Sequence, residues 1–241
     1  MKLYLLYKNE DSTEQLISEY LKCPPEGEYF REQVFSTANE RLREDRILSR
    51  RLLYTVCEKE LGRAPGEVVY NSYGKPCFAD DSASFSISHS ERLILLAFEK
   101  GACEIGADVQ IEPVGDKLNR VYDRFNGKFP KEFNSQSLEI EEITLCTVKA
   151  SYLTMCSLCT ALPEVTELCA LDLRDGIPPL TAWTLTEAVL KAQGEGFGAL
   201  CRASELGKDY SVASYTIVIG GKKYSISVAK KADESVAKKA D

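Results

Sequence analysis

No apolar run in this chain approaches the roughly 20 residues that a bilayer-spanning helix needs. The first seven residues are basic and then apolar, but Lys8, Asn9, Glu10 and Asp11 cut the run off after five apolar residues. That is too short for the apolar region of a secretory signal, so residues 1–7 are expected to form a buried first strand of a cytoplasmic protein. An excess of basic charge is also lacking. The net charge is −7 and the pI near 5.1, which argues against a general nucleic-acid binder because phosphate contacts demand a basic surface. The nine cysteines are odd in number and scattered through apolar stretches, so they read as reduced core residues rather than a disulfide framework. Cys156 and Cys159 form the single CxxC, and no second ligand pair stands at a fitting distance to complete a zinc site.

What remains is a soluble globular composition, 44% hydrophobic and 28% charged over 241 residues, long enough for one large domain or two packed lobes. Helical spacing is expected at 11–23, closed by Pro24 and Pro25, and at 35–62, where Leu42, Ile47, Leu48, Leu52, Val56 and Leu61 precede Gly62. Arg41, Arg43, Arg46, Arg50 and Arg51 crowd the polar side of the second helix. They suit a solvated face or an anionic ligand. Strand patterns follow at 68–70, 85–88 running into His89 and Ser90, 93–98 and 104–111. Residues 112–130 read as a long loop, 138–162 as a cysteine-rich helical segment, 183–197 as a helix that Gly194 and Gly196 end, and 215–219 with 224–228 as a hairpin around Gly220 and Gly221. Helix followed by paired strands thus occurs at 35–111 and again at 183–228. The expected organisation is α+β with a pseudo-two-fold arrangement of two similar lobes: 1–112, and 113–228 including an inserted helical segment at about 130–182. The repeated S-V-A-K-K-A-D at the end reads as a frayed tail over 229–241.

Several residues carry possible chemistry. Glu187 and Lys191 stand four apart on one helical face, an arrangement that fits an ordinary solvated ion pair or an acid and a base in one cleft. In strand 104–111, period two puts Gly106, Asp108 and Gln110 on one face. Two hard oxygen ligands over a glycine suit magnesium, although an Asp in a strand also serves as a hydrogen-bonded edge residue. His89, the only histidine, sits between Ser88 and Ser90, where ring and hydroxyls can converge on an oxyanion or serve structure alone. The turn Tyr73-Gly74-Lys75-Pro76 can press backbone and one cation against a flat or phosphorylated ligand, or simply connect strands.

Together, Y-G-K-P at 73–76, F-S-I-S-H-S at 85–90, I-G-A-D-V-Q at 105–110 and W-T-L-T-E-A-V-L-K-A-Q-G-E-G-F at 183–197 resemble the 4′-phosphopantetheinyl transferases, of the two-lobed, surfactin-synthetase-activating kind. The order and approximate spacing match over most of the chain. The resemblance implies transfer of the phosphopantetheine arm of coenzyme A to a serine of an acyl or peptidyl carrier protein, with magnesium and release of 3′,5′-ADP. It also implies a monomer with pseudo-dimeric lobes, its site in the cleft between them.

Position by position, the resemblance makes Asp108, Gln110 and Glu187 the metal ligands, Gln110 standing where many members have a second acid. It makes Glu187 the group that helps remove the serine proton, and Lys191 the cation that neutralises phosphate and assists departure of the ADP group. Tyr73, Gly74, Lys75 and Pro76 would line the adenine end, Ser88 and His89 the coenzyme phosphates, and Arg46 the 3′-phosphate. Arg124, Lys128 and Lys131 are candidates for docking an acidic carrier.

The chain also departs from that family. Thr186 replaces the lysine of the usual W-x-x-K-E, and the segment between Asp108 and Trp183 is about thirty residues longer than this kind carries. A degenerate homologue that binds coenzyme A or a carrier without turnover is the alternative these departures leave open.

Overall fold

A computed structural model describes residues 1–8, 18, 36–112, 129–130, 132–134, 138–149, 152–157, 165–195 and 203–232. The expected helix at 11–23, apart from residue 18, and most of the loop after residue 112 lie outside them. Strand β1 (Lys2–Tyr7) leads to helix α1 (Glu40–Leu61), then β2 (Val68–Tyr70), β3 (Pro76–Phe78), β4 (Ala83–Ser90), β5 (Leu93–Lys100) and β6 (Ile105–Ile111). Next come β7 (Glu142–Lys149), β8 (Tyr152–Ser157), β9 (Val165–Ala170), α2 (Pro179–Gln193), the single turn α3 (Ala203–Leu206), β10 (Tyr210–Ile219) and β11 (Lys222–Lys231). The protein is α+β. No helix among the described residues is long and apolar enough to cross a membrane.

Two sheets carry the fold. The first has the order β4-β5-β1-β7-β8, with β1 and β7 parallel, and the second β6-β11-β10-β9, antiparallel throughout. Period two explains how they pack. Leu3, Leu5 and Tyr7 of β1 share one core with Leu93 and Leu95 of β5, Ile105, Ala107 and Val109 of β6, and Ile226 and Val228 of β11. The alternate residues Tyr4, Leu6, Ile94 and Leu96 pack instead on Leu48, Leu52 and Val56 of α1. Ala188, Val189 and Ala192 of α2 meet Tyr210 and Ala229 on the far face of the second sheet. Each sheet therefore has one face on the other sheet and one face under a helix.

The helix ends follow their sequence signals. The Asn39 side chain accepts from the Leu42 amide at the start of α1, and Gly62 closes it at φ 67°, a left-handed conformation that costs glycine little. Gly220 and Gly221, at φ 57° and 71°, make the two-residue turn between β10 and β11.

Several expectations need correction. The segment expected to be helical within about 130–182 holds strands β7, β8 and β9. Glu142-Ile-Thr-Leu-Cys-Thr-Val-Lys149 is rich in β-branched residues, Ile143, Thr144, Thr147 and Val148, which suit a strand, and β1 offers β7 an open parallel edge that local sequence does not reveal. The tail expected over 229–241 does not include Ala229, Lys230 and Lys231, which belong to β11, with Ala229 fully buried. The cysteines are not uniformly core residues. Cys57 and Cys146 are buried, but Cys77 and Cys169 are exposed free thiols on β3 and on the edge strand β9.

Ser84, Ser86, Ser88 and Ser90 alternate along β4 and face β6, the edge of the other sheet. Ser84 Oγ accepts from the Cys103 amide at 2.8 Å, and Ser86 Oγ and Ser90 Oγ accept from the Ala107 and Ile111 amides at 3.0 Å. Hydroxyls thus replace the missing strand ladder and satisfy amides at the sheet edge. They join the two sheets at the corner where the candidate site lies.

Candidate functional site

Three elements meet at that corner. Strand β6 presents Gly106, Asp108 and Gln110 on its α2-facing side, β4 presents Ser88, and α2 presents Glu187 and Lys191 one turn apart. The approach of α2 depends on Gly106. A Cβ there would lie 1.9 Å from the Ala188 carbonyl oxygen and 2.4 Å from the Ala192 nitrogen, so no other residue lets helix and strand come this close.

The side chains converge. Lys191 Nζ lies 2.5 Å from Asp108 Oδ1, 3.0 Å from Ser88 Oγ and 3.8 Å from Glu187 Oε2. Ser88 Oγ in turn donates to Asp108 Oδ1 at 2.7 Å. Asp108 is almost fully buried, while the Lys191 side chain keeps 30% exposure, so the group opens to solvent on the lysine side. Burial, reinforced by the charge of Asp108, pushes the Glu187 carboxyl up to about 7 against the opposing pull of Lys191. At neutral pH this acid is poised to give or take a proton.

His89 points the other way from Ser88, as period two requires. Its Nδ1 lies 3.4 Å from Asp45 Oδ2 on α1, and Asp45 Oδ1 accepts from Lys8 Nζ at 2.5 Å. Burial lowers the imidazole pKa, helped by Lys191 and Lys8, while Asp45 raises it. Local sequence does not place Asp45 and Lys8, both buried, beside His89. The lone Lys8 after a five-residue apolar strand was the available signal.

The remaining expected residues are spread around this centre. Tyr73 is 63% exposed, the most open of the large hydrophobic residues among those described. Gly74 sits at φ 84° with nothing near its missing Cβ. Pro76 begins β3. The Lys75 ammonium turns inward, donating to the Ala192 carbonyl at 2.9 Å and to the Ile105 carbonyl at 3.1 Å. Arg46 is an exposed residue on α1 whose Nη1 donates to Thr37 Oγ1 at 2.5 Å. Arg124, Lys128, Lys131, Gly196 and Phe197 lie outside the described residues.

Thr186 occupies a position unlike the one expected for a phosphate-facing cation. It is 1% exposed, and its hydroxyl donates to the Ala182 carbonyl one turn back. Its neighbours Thr181 and Thr184 join Ser214, Ser225 and Ser227 in a buried hydroxyl network between α2 and β10 and β11, with contacts of 2.7 to 3.4 Å. This network satisfies polar groups under the helix.

Asp108, Glu187 and Gln110 offer hard oxygen donors suited to magnesium. Among the described residues no three His, Cys, Asp or Glu side chains gather around one point, and a third oxygen for such a set would have to come from Gln110, two residues beyond Asp108 on the same face of β6. No family model matches the chain, and no curated protein matches it.

Proposed function

We propose that the protein transfers the 4′-phosphopantetheine arm of coenzyme A to a serine hydroxyl of an apo acyl or peptidyl carrier protein, releasing 3′,5′-ADP. The observation that carries this reading is the convergence of Asp108, Ser88, Glu187 and Lys191, with Glu187 poised near neutrality. Four sequence segments resembling one transferase family support it, and three of them, at 85–90, 105–110 and 183–197, supply this group of side chains. In this reading the sheet-and-helix pairs of α1 and α2 are the two pseudo-symmetric lobes.

Glu187 takes the proton of the incoming serine. The serine oxygen forms a bond to the pantetheine-bearing phosphorus, and the bridging bond to the ADP phosphate breaks, its electron pair leaving with 3′,5′-ADP. Lys191 balances charge on the phosphate oxygens, and Ser88 holds Asp108 in place by hydrogen bonding. Asp108, Glu187 and Gln110 would hold magnesium, which when bound supplies positive charge to the pyrophosphate. Tyr73 offers an open ring, and Gly74 open backbone, to the adenine end.

The test is intact-mass measurement of apo-carrier proteins incubated with the protein, magnesium and coenzyme A. The expected gain is about 340 Da, the mass of the arm, lost with Glu187→Gln. A second reading, a coenzyme A or carrier binder without turnover, is favoured by the buried Thr186, which leaves Lys191 as the only lysine on α2. Tight coenzyme A binding with no mass gain over a broad carrier panel would establish that reading and overturn the first.

A further inference from the structure

Two side chains of the 71–76 turn reach across to the end of α2. Asn71 Nδ2 donates to the Gly194 carbonyl at 2.9 Å, and Lys75 Nζ donates to the Ala192 carbonyl at 2.9 Å. These carbonyls fall in the stretch of a helix end that has no intrahelical donor, where the helix dipole favours a cation. The turn itself is braced. Asn71 Oδ1 accepts from the Tyr73 and Lys75 amides, both at 2.9 Å, and the Gly74 amide donates to the Asn71 carbonyl at 3.0 Å. The fit against the helix is close, since a Cβ on Gly194 would lie 2.8 Å from Asn71 Nδ2 and 3.4 Å from Lys75 Cδ.

The second acceptor of Lys75 is the carbonyl of Ile105, at 3.1 Å. Ile105 opens β6 three residues before Asp108, and Ala192 directly follows Lys191. One ammonium therefore ties the strand that carries Asp108 to the helix that carries Glu187 and Lys191. The same two elements must keep their spacing for the 2.5 Å contact between Asp108 and Lys191 to persist. Beyond Gly106, which permits the approach of α2, Lys75 is the described side chain that hydrogen-bonds to the backbone of both elements.

We propose that Lys75 is a positioning residue whose ammonium clamps the end of α2 to the start of β6 and so sets the spacing of Asp108, Glu187 and Lys191. Its charge stays inside the protein while Tyr73 and Gly74 of the same turn face outward. Burial lowers the pKa of this lysine, and the charge of Glu104 opposes that effect. The kinetic consequence rests on the phosphopantetheinyl-transfer reading, whereas the clamp itself does not.

The test compares the full chain with Lys75→Met and Lys75→Arg. Amide hydrogen exchange in residues 189–193 should quicken about tenfold in Lys75→Met, stay near the parent rate in Lys75→Arg, and be unchanged in the first half of α2. In the transfer assay, kcat should fall between about tenfold and a hundredfold in Lys75→Met with KM for coenzyme A unchanged, and recover in Lys75→Arg. Unchanged exchange at 189–193, or a raised KM at constant kcat, overturns the clamp; the latter would place the ammonium on the ligand. A parent protein that transfers nothing to any carrier overturns the transfer reading alone, because the exchange comparison still decides the clamp. If Lys75→Met does not fold, reductive methylation of the parent protein gives the answer. Lys75 should react at least about tenfold more slowly than Lys208, whose side chain is 63% exposed. Equal rates overturn the proposal.

Discussion

The Lys191 ammonium lies 2.5 Å from Asp108 but 3.8 Å from Glu187, so one cation serves two acids unequally. The less favoured acid has a measurable signature. Burial and Asp108 raise the Glu187 pKa from 4.5 to about 7, so between those values the folded protein binds a proton that the unfolded chain has released. Stability attributable to this group is present below about pH 4.5 and is lost as pH rises through 7. The loss amounts to at most about 3 kcal/mol. Urea unfolding of the parent and Glu187→Gln at pH 5, 6, 7 and 8 checks it. The variant should gain relative stability with rising pH, and parallel curves would show that Glu187 titrates normally.

Asp108→Asn should affect the site in two ways. It removes the charged partner of Lys191, but the partly exposed lysine can turn to water or to Glu187. The expected cost is therefore about 1–3 kcal/mol, below the 3–5 typical of breaking a fully buried pair. It also removes a like charge that raises the Glu187 pKa, so the Glu187 midpoint should move down. Carbon-detected titration of the carboxyl measures this directly. A midpoint that stays near 7 would mean that burial alone sets it. Transfer activity should be abolished, as seen by intact mass.

Gly106→Ala tests the packing that brings the two elements together. Its new methyl would meet the backbone of α2 at Ala188 and Ala192, and backbone cannot rotate away as a flexible side chain can. Helix α2 must shift, at a cost of about 1–3 kcal/mol or more. In a protein of this size that lowers Tm by about 2–4 °C for each kcal/mol. Activity should fall further than the loss of folded protein explains, because the shift moves Glu187 and Lys191 away from Asp108. Unchanged Tm and kcat would show that the strand and helix have more room than the geometry allows.

Local patterns made much of this arrangement legible. Leu48, Leu52 and Val56 repeat at helical spacing, Gly62 and Gly194 mark helix ends, and the alternation at 105–110 put Gly106, Asp108 and Gln110 on one face. What could not be read depended on distant partners. β7 is a strand because β1 lies beside it, and a cysteine-containing apolar stretch does not declare that neighbour. Lys75 looked like a cation for a ligand, but its direction is set by carbonyls at Ile105 and Ala192, far away in sequence. The alternating serines of β4 were visible, yet their use depended on an edge strand from the other sheet. Glu187 and Lys191 looked like any exposed pair until Asp108 and Ser88 were placed beside them.

Gln110→Glu separates the candidate magnesium set from a purely structural arrangement. Gln110 lies two residues beyond Asp108 on the same face of β6 and is half-buried, so a carboxylate there adds negative charge close to two acids that already share one ammonium. Without a divalent ion, the added charge should raise the Glu187 midpoint further and lower stability at neutral pH. With magnesium present, the same charge should tighten binding, since a third carboxylate replaces a neutral oxygen. The expected outcome is about a tenfold fall in the magnesium concentration giving half-maximal thermal stabilisation, a readout that needs no turnover. If the variant loses stability without magnesium and regains none with it, the face holds no metal, and Asp108 and Lys191 act through their ion pair alone.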